Sequence, residues 1–285
     1  MNKDIKKQVD NLMKLGKIQT IDIKLSTAEK KLEELLNSSI GDCIPAGQKV
    51  GLYYSGGIDS ALIATFFDFK YRLTYNDKDY KEDFKKQLPE IMKVVGKPIN
   101  SFSLYGWWQL GKMAKKMGIG TVISGEGADE LFFGYIRYMP TALYQQAREM
   151  FPSYKAMFPI KKNDDVHCLA WYDYNNNLPP LIEAEIKIAN YFGLDIKFPF
   201  LSTEILNFAW SLPFNQKING FKTKYILRQM LKKRNPDYKD IEKKGLFCGV
   251  NGWIGSKDGF NKEDYLKLQN ELLHKQKIER NNNRI

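Results

Sequence analysis

The sequence predicts an α/β fold: a parallel twisted sheet with flanking helices, followed by a helical C-terminal half. Three observations carry this. Short apolar runs alternate with helical patterns up to about residue 139, and such alternation builds a parallel sheet with right-handed crossovers. Two of the strand-to-helix junctions are glycine turns rich in Ser and acidic residues, and in open parallel sheets such turns line the ligand edge. Beyond Pro140 the strand signals fade and helical periodicity dominates.

The elements follow in order. Residues 1–24 are charged, weakly patterned and read as an N-terminal extension. Residues 26–36 read as a helix, with Ser26 in the capping position, Glu29 three residues on, and Leu32, Leu35 and Leu36 on one face. Residues 49–54 (KVGLYY) are an apolar run bounded by turn residues, a buried strand. A helix is expected over 59–69, a strand over 71–75, and a helix interrupted by Pro89 over 82–95. Residues 99–104 read as a third strand, 107–117 as a helix closed by Gly118, 120–123 as another strand, and 129–138 as a helix. Further helices are expected over 141–151, 181–192, 204–211 and 224–233. One domain thus runs over residues 25–260, its sheet half over 25–139 and its helical half over 140–260, before a basic polar tail over 261–285 that frays at its end.

Composition excludes several chemistries. The cysteines Cys43, Cys168 and Cys248 are widely spaced and odd in number, with no C-x-x-C, which argues against a disulfide framework and against structural zinc. The only histidines are His167 and His274, too few for a multi-His metal site, and neither adjoins a Ser or Cys nucleophile. Chemistry must run on Lys, carboxylates, hydroxyls and backbone amides. The N-terminus has no apolar signal region and no stretch approaches a membrane span, so a cytoplasmic protein is expected. The net charge of +11 comes from scattered Lys residues, the pattern of a solvated surface, though it leaves a nucleic-acid partner open.

Three motifs carry chemistry. In SGGIDS (residues 55–60), Gly56 and Gly57 let the backbone turn sharply and bring amide groups toward an anion, while Ser55 and Ser60 add hydroxyls. A pyrophosphate fits that loop, and Asp59 beside it makes sense with a bridging Mg²⁺. The plainer reading is a glycine turn with Asp at a helix start. In ISGEGADE (residues 123–130) the layout recurs, with Glu126, Asp129 and Glu130 at helical spacing. Acidic residues favour helix starts by themselves, but a shared sheet edge would let Asp59 and Asp129 hold one Mg²⁺. In FKTKYILR, Lys222 and Lys224 precede an amphipathic helix, where lysine is usually a solvated end.

Taken together, SGGIDS and SGEGADELF resemble the paired signature of the asparagine synthetase-type PP-loop ATP pyrophosphatases. The stretches NLPPLIE from Asn177, FPFL from Phe198, KYILR from Lys224, and KKGLF with Trp253 resemble further segments of that family, over residues 25–255. The resemblance implies a PP-loop, adenine nucleotide alpha-hydrolase-like fold and an AMP-forming carbon–nitrogen ligase that uses ATP and Mg²⁺. It implies that Ser55, Gly56, Gly57, Asp59 and Ser60 bind pyrophosphate and that Tyr53 and Tyr54 lie near adenosine. Ser124, Gly125 and Glu126 would line the acyl-adenylate site, Asp129 would share the metal, and Lys224 and Glu126 would be catalytic. The partners implied are a small carboxylate, aspartate by default, and ammonia or an amine, with a separate glutaminase subunit as one nitrogen source.

The departures are specific. SFSLY stands where the asparagine enzymes carry a Thr-Thr-x-Arg run near aspartate; Asp195, Lys197 and Ser202 replace Glu, Arg and Asp; Phe133 replaces a Gly. They bear on the acyl substrate rather than on ATP. A sister synthetase forming a lactam or amidating a metabolite is therefore the first alternative. An RNA- or nucleotide-modifying PP-loop enzyme and a non-catalytic paralogue are the others.

Overall fold

The computed structural model describes residues 20–75, 81–139, 163–239 and 262–282. Strands β1 (Val50–Tyr53), β2 (Tyr71–Leu73), β3 (Thr121–Ile123) and β4 (Asp195–Lys197) form one parallel sheet in the order β2-β1-β3-β4. Gly51 lies opposite Tyr71 on one side and Val122 on the other, so β1 is paired along both edges. The expected parallel α/β fold is borne out.

Alternate residues of each strand face opposite layers. Leu52 and Ile123 face a core shared with Leu32 and Leu36 of α1 (Leu25–Asp42), Leu62 of α2 (Ile58–Ile63), and Ile226 and Leu227 of α10 (Tyr225–Arg234). Tyr53 and Val122 face a second core. That core is built by Ile91 of α3 (Lys81–Val95), Trp107 of α4 (Ser103–Lys116) and Ile188 of α7 (Leu178–Tyr191). Between β3 and β4 lie α5 (Ala128–Leu131), a 3-10 turn at Ile136–Tyr138, α6 (Asn163–Tyr172) and α7, the last two joined by a π-turn at Asp173–Asn177. Asp173 in that turn is buried and accepts hydrogen bonds from Arg137 and from the Tyr138 hydroxyl at 2.6 Å. It thereby ties the turn to the chain leaving the second glycine loop. Helices α8 (Thr203–Ser211) and α9 (Phe214–Lys217) lead to α10.

Several expectations are corrected. Residues 99–104 are not a strand: Leu104, Trp107, Leu110 and Gly111 follow helical spacing, and α4 starts at Ser103. The helix expected over 129–138 stops at Leu131, because Phe133 takes a left-handed φ of 56°. Strand β4, three residues with only Ile196 buried, carried too little apolar signal to be read. Ser26 does not cap α1, which starts at Leu25 with no side-chain cap. Lys224 precedes α10 rather than belonging to it. Pro89 sits inside α3 without ending it. The segment read as a polar tail contains the long helix α11 (Lys262–Asn282). The helix expected over 141–151 and the KKGLF and Trp253 segment lie outside the described residues. No helix among the described residues is long and apolar enough to cross a membrane.

Helix α11 docks through Tyr265, packed on Phe84 and Phe102, and through Gln269. The fully buried Gln269 amide accepts from the Ile99 N–H (2.9 Å) and donates to the Ile99 carbonyl (3.1 Å). It replaces the ladder partners that a strand at 99 would have had. Gln269→Leu leaves two buried backbone groups unpaired, at about 1–3 kcal/mol each. Urea denaturation is expected to show a loss of about 2–4 kcal/mol, and hydrogen exchange should quicken in α11 first.

His167 of α6 is buried edge-on against Phe133 at 4.8 Å. Burial, then the neighbouring Lys217, pushes its pKa from 6.5 down to about 3. Between those values the unfolded chain binds more protons, so this stability is complete above the unfolded value and is lost as pH falls. Relative to His167→Phe, the wild type should lose about 2 kcal/mol between pH 7 and pH 5. Equal pH dependence of the two denaturation curves would contradict this.

Candidate active site

Both glycine loops leave the C-terminal ends of neighbouring strands. After β1, Gly56 turns the chain at φ 75°, a conformation that glycine adopts without strain. The loop closes on its own hydroxyls. Ser60 Oγ accepts from the Ser55 N–H and donates to the Gly57 carbonyl, and Ser55 Oγ accepts from the Gly57 N–H, each at 3.2 Å. From outside, the Tyr238 hydroxyl donates to the Gly56 carbonyl at 3.0 Å. After β3, the Ser124 N–H donates to the Lys197 carbonyl at 2.9 Å, which anchors the second loop to β4. A side chain at Gly125 would start 3.1 Å from the Asp59 Cβ, so the two loops are in van der Waals contact.

Lys224 locks them together. Its backbone is left-handed (φ 52°) and its N–H donates to the Phe132 carbonyl at 3.2 Å. Its ammonium lies 2.5 Å from Asp59 Oδ2 and 2.9 Å from Asp129 Oδ1. The lysine is 4% exposed. Burial alone would lower its pKa, but Asp129 and Asp59 outweigh it and hold the group above its ordinary value, fully charged. Sequence reasoning put Asp59 and Asp129 at one sheet edge and read Lys224 in a separate motif; the structure brings all three together.

Other predicted residues are distributed around this centre. Tyr53 and Tyr54 face opposite layers of the sheet: Tyr53 belongs to the core of α3, α4 and α7, whereas Tyr54 packs against the other core, 5.7 Å from the Arg72 guanidinium. Ser124 is buried, and Glu126 is half-buried at the turn. Glu130, expected to share a face with Glu126, points inward instead. It is 2% exposed and accepts from the Tyr135 hydroxyl at 2.8 Å. Burial, then Asp129, lifts its pKa to about 7.

Two residues escaped sequence reasoning. Gly134 is one: a Cβ there would fall 1.9 Å from Asp129 Oδ1 and 2.2 Å from Lys224 Cε. Its position next to Phe133, which stands where the family carries Gly, was the only hint. Glu185 is the other: on α7, it is buried beside Ser124, Glu126 and Tyr53. A carboxylate on an otherwise apolar helix face was the available signal.

A parallel sheet whose two glycine loops meet over one buried lysine is the framework of an α/β protein with its candidate site at the sheet edge. The chain belongs to the asparagine synthase family, whose model matches residues 79–279. The match starts after the first loop. Among relatives, a protein of Methanocaldococcus jannaschii named asparagine synthetase [glutamine-hydrolyzing] 1 is 26% identical over 224 residues, covering 67% of this chain and 38% of the relative. A Schizosaccharomyces pombe protein named asparagine synthetase [glutamine-hydrolyzing] is 34% identical over 122 residues, 42% of this chain and 18% of the relative. One of Mycobacterium bovis with that name is 23% identical over 299 residues, 70% and 45% of the two chains. The chain thus spans less than half the length of these relatives.

Gly134→Ala should drive Asp129 and Lys224 apart and cost about 1–3 kcal/mol in denaturation experiments. Because both changes damage one ion pair, the penalty of Gly134→Ala should shrink in a Lys224→Ala background. Full additivity would show that Gly134 does not act through the pair.

Proposed function

We propose that the chain is an AMP-forming amide synthetase. A carboxylate oxygen attacks the α-phosphorus of ATP, and pyrophosphate leaves with the electron pair of the broken P–O bond. The lone pair of ammonia or an amine then attacks the acyl carbon. The C–O bond to AMP breaks, its electron pair stays on the phosphate, and nitrogen gives up its proton. The single observation that supports this most is the ion pair of Lys224 with Asp59 and Asp129, which joins the two glycine loops at one sheet edge.

In this reading the amides of Ser55, Gly56 and Gly57, with Ser60, take the pyrophosphate. Tyr53 and Tyr54 lie near the adenosine, and Ser124 and Gly125 line the acyl-adenylate. Glu126 positions the acyl group or takes the proton from nitrogen. Lys224 stabilises the oxyanion formed on attack. Asp59 and Asp129 suit Mg²⁺, which takes one or two carboxylates and completes its shell with phosphate oxygens and water. A cationic nitrogen already bonds both carboxylates, and no group of three or more potential metal ligands gathers among the described residues. Bound there, Mg²⁺ would neutralise charge on the departing pyrophosphate. Nitrogen comes from free ammonia or from a separate glutaminase subunit.

Aspartate is the default acyl substrate, but one observation favours a different carboxylate. The SFSLY segment opens α4, and Phe102, Leu104 and Tyr105 turn into the core. The Arg that the asparagine enzymes place there has no counterpart in that segment, and a bidentate Arg is hard to replace.

The deciding experiment is carboxylate-dependent ATP–pyrophosphate exchange over a panel of acids that includes aspartate. Exchange is expected with at least one acid, and Asp59→Ala should lower it by about 100-fold or more, in the range of losing one electrostatic element. Lys224→Ala should impair amide formation at least as strongly. Silence across the whole panel, or normal exchange in Asp59→Ala, would overturn the reading.

A further inference from the structure

The first glycine loop is held from outside by a residue that belongs to neither glycine motif. Tyr238 lies just beyond α10, in a turn over residues 235–238. Asn235, Pro236 and Asp237 suit the first three places of such a turn, and the Tyr238 N–H closes it on the Asn235 carbonyl at 3.1 Å. The frame that carries the turn is fixed. Arg234, the last residue of α10, donates to the Thr65 hydroxyl (2.8 Å) and carbonyl (2.7 Å), just past the end of α2. Its guanidinium also lies 4.0 Å from the centre of the Phe66 ring. Tyr238 packs against the core shared by α1, α2 and α10, and its hydroxyl donates to the Gly56 carbonyl at 3.0 Å. The two flanks of α10 thus both reach the loop, Lys224 through Asp59 and Tyr238 through Gly56.

We propose that Tyr238 is a positioning residue for the anion-binding amides of this loop, acting on the pyrophosphate end of the nucleotide. The inference rests on the synthetase reading above and adds a residue to it. The Gly56 carbonyl and the Gly57 N–H belong to one planar trans peptide unit and point in opposite directions. Holding the carbonyl therefore aims the N–H. Glycine on both sides of that unit lets it turn over at little steric cost, and a turned unit presents a carbonyl oxygen where phosphate needs a donor. The Tyr238 hydroxyl opposes that rotation. The Gly57 N–H itself is held loosely: its acceptor is Ser55 Oγ at 3.2 Å, exposed and at the long end of the ordinary range. A charged phosphate oxygen forms the stronger bond and takes over that donor. Tyr238 works through the peptide unit rather than on the ligand, so its contribution is orientation and not chemistry.

The test compares wild type with Tyr238→Phe, which keeps the ring and removes the hydroxyl; thermal unfolding checks that the variant folds. Inorganic pyrophosphate and AMP are each titrated by calorimetry with Mg²⁺ present. The pyrophosphate Kd should rise about three- to tenfold, the worth of one ordinary hydrogen bond, while the AMP Kd stays at its wild-type value. In carboxylate-dependent exchange, the KM for pyrophosphate should rise by the same factor and the KM for the carboxylate should not move. Unchanged pyrophosphate affinity in folded Tyr238→Phe overturns this inference alone, because the hydroxyl is then idle. An equal loss for AMP and pyrophosphate also overturns it alone, since that marks a general loosening of the site. Failure of the wild type to bind pyrophosphate overturns the synthetase reading of the loop and this inference with it.

Discussion

One buried ammonium holds the candidate site together. Lys224 reaches two carboxylates that belong to loops 70 residues apart in the chain. Pairs of this kind gain little net stability, because desolvation offsets the attraction, but losing one partner leaves a buried charge and costs about 3–5 kcal/mol. The pair therefore fixes geometry more than it adds stability: it joins both loops to the residue that precedes α10. The backbone shows the same constraint. The only non-glycine residues with left-handed backbone among the described residues are Phe133 and Lys224. They meet where the Lys224 N–H bonds the Phe132 carbonyl. Strain of about 1–3 kcal/mol at such positions persists only when the surroundings over-determine it, and the ion pair with its neighbouring Gly134 supplies that determination.

The sheet order explains why the loops can meet. With β1 and β3 adjacent and parallel, both chains leave the same edge, and Gly125 lets the second loop touch Asp59. Much of this was legible. Each buried strand with several apolar residues was readable, as were the helices with a clear apolar stripe, because burial on one or both faces leaves a periodic trace. What failed had no such trace. Strand β4 is three residues long and buries one of them, so its place in the sheet follows from pairing with β3 and not from its own pattern. The run at 99–104 mixes apolar residues in a way that suits either period, and the Gln269 amide, 170 residues away, satisfies Ile99 without a ladder.

The site divides in the same way. Residues inside contiguous motifs, such as Ser55 and Ser60, were visible because the loop contacts are local in sequence. By its local sequence alone Lys224 looked like a solvated helix end, and only the family resemblance set it apart; its 4% exposure and its two partners come from the structure. Gly134 matters through the atom it lacks, and Glu185 through distant neighbours; neither property is written in local sequence. Phe133 is instructive because the sequence comparison marked it as a departure from glycine, and the structure gives the reason for glycine there: a positive φ.

Charge gives the last step. The chain as a whole carries +11, a field that draws anions toward it. The candidate site within that field is lined by acids: Asp59, Glu126, Asp129 and Glu185. Acids so placed repel the anions that the exterior attracts unless each is matched by a cation or a proton. Lys224 matches Asp59 and Asp129 in the resting protein, and burial raises the Glu130 pKa to about 7. Magnesium would carry the match further once phosphate arrives, adding charge that a single ammonium cannot supply.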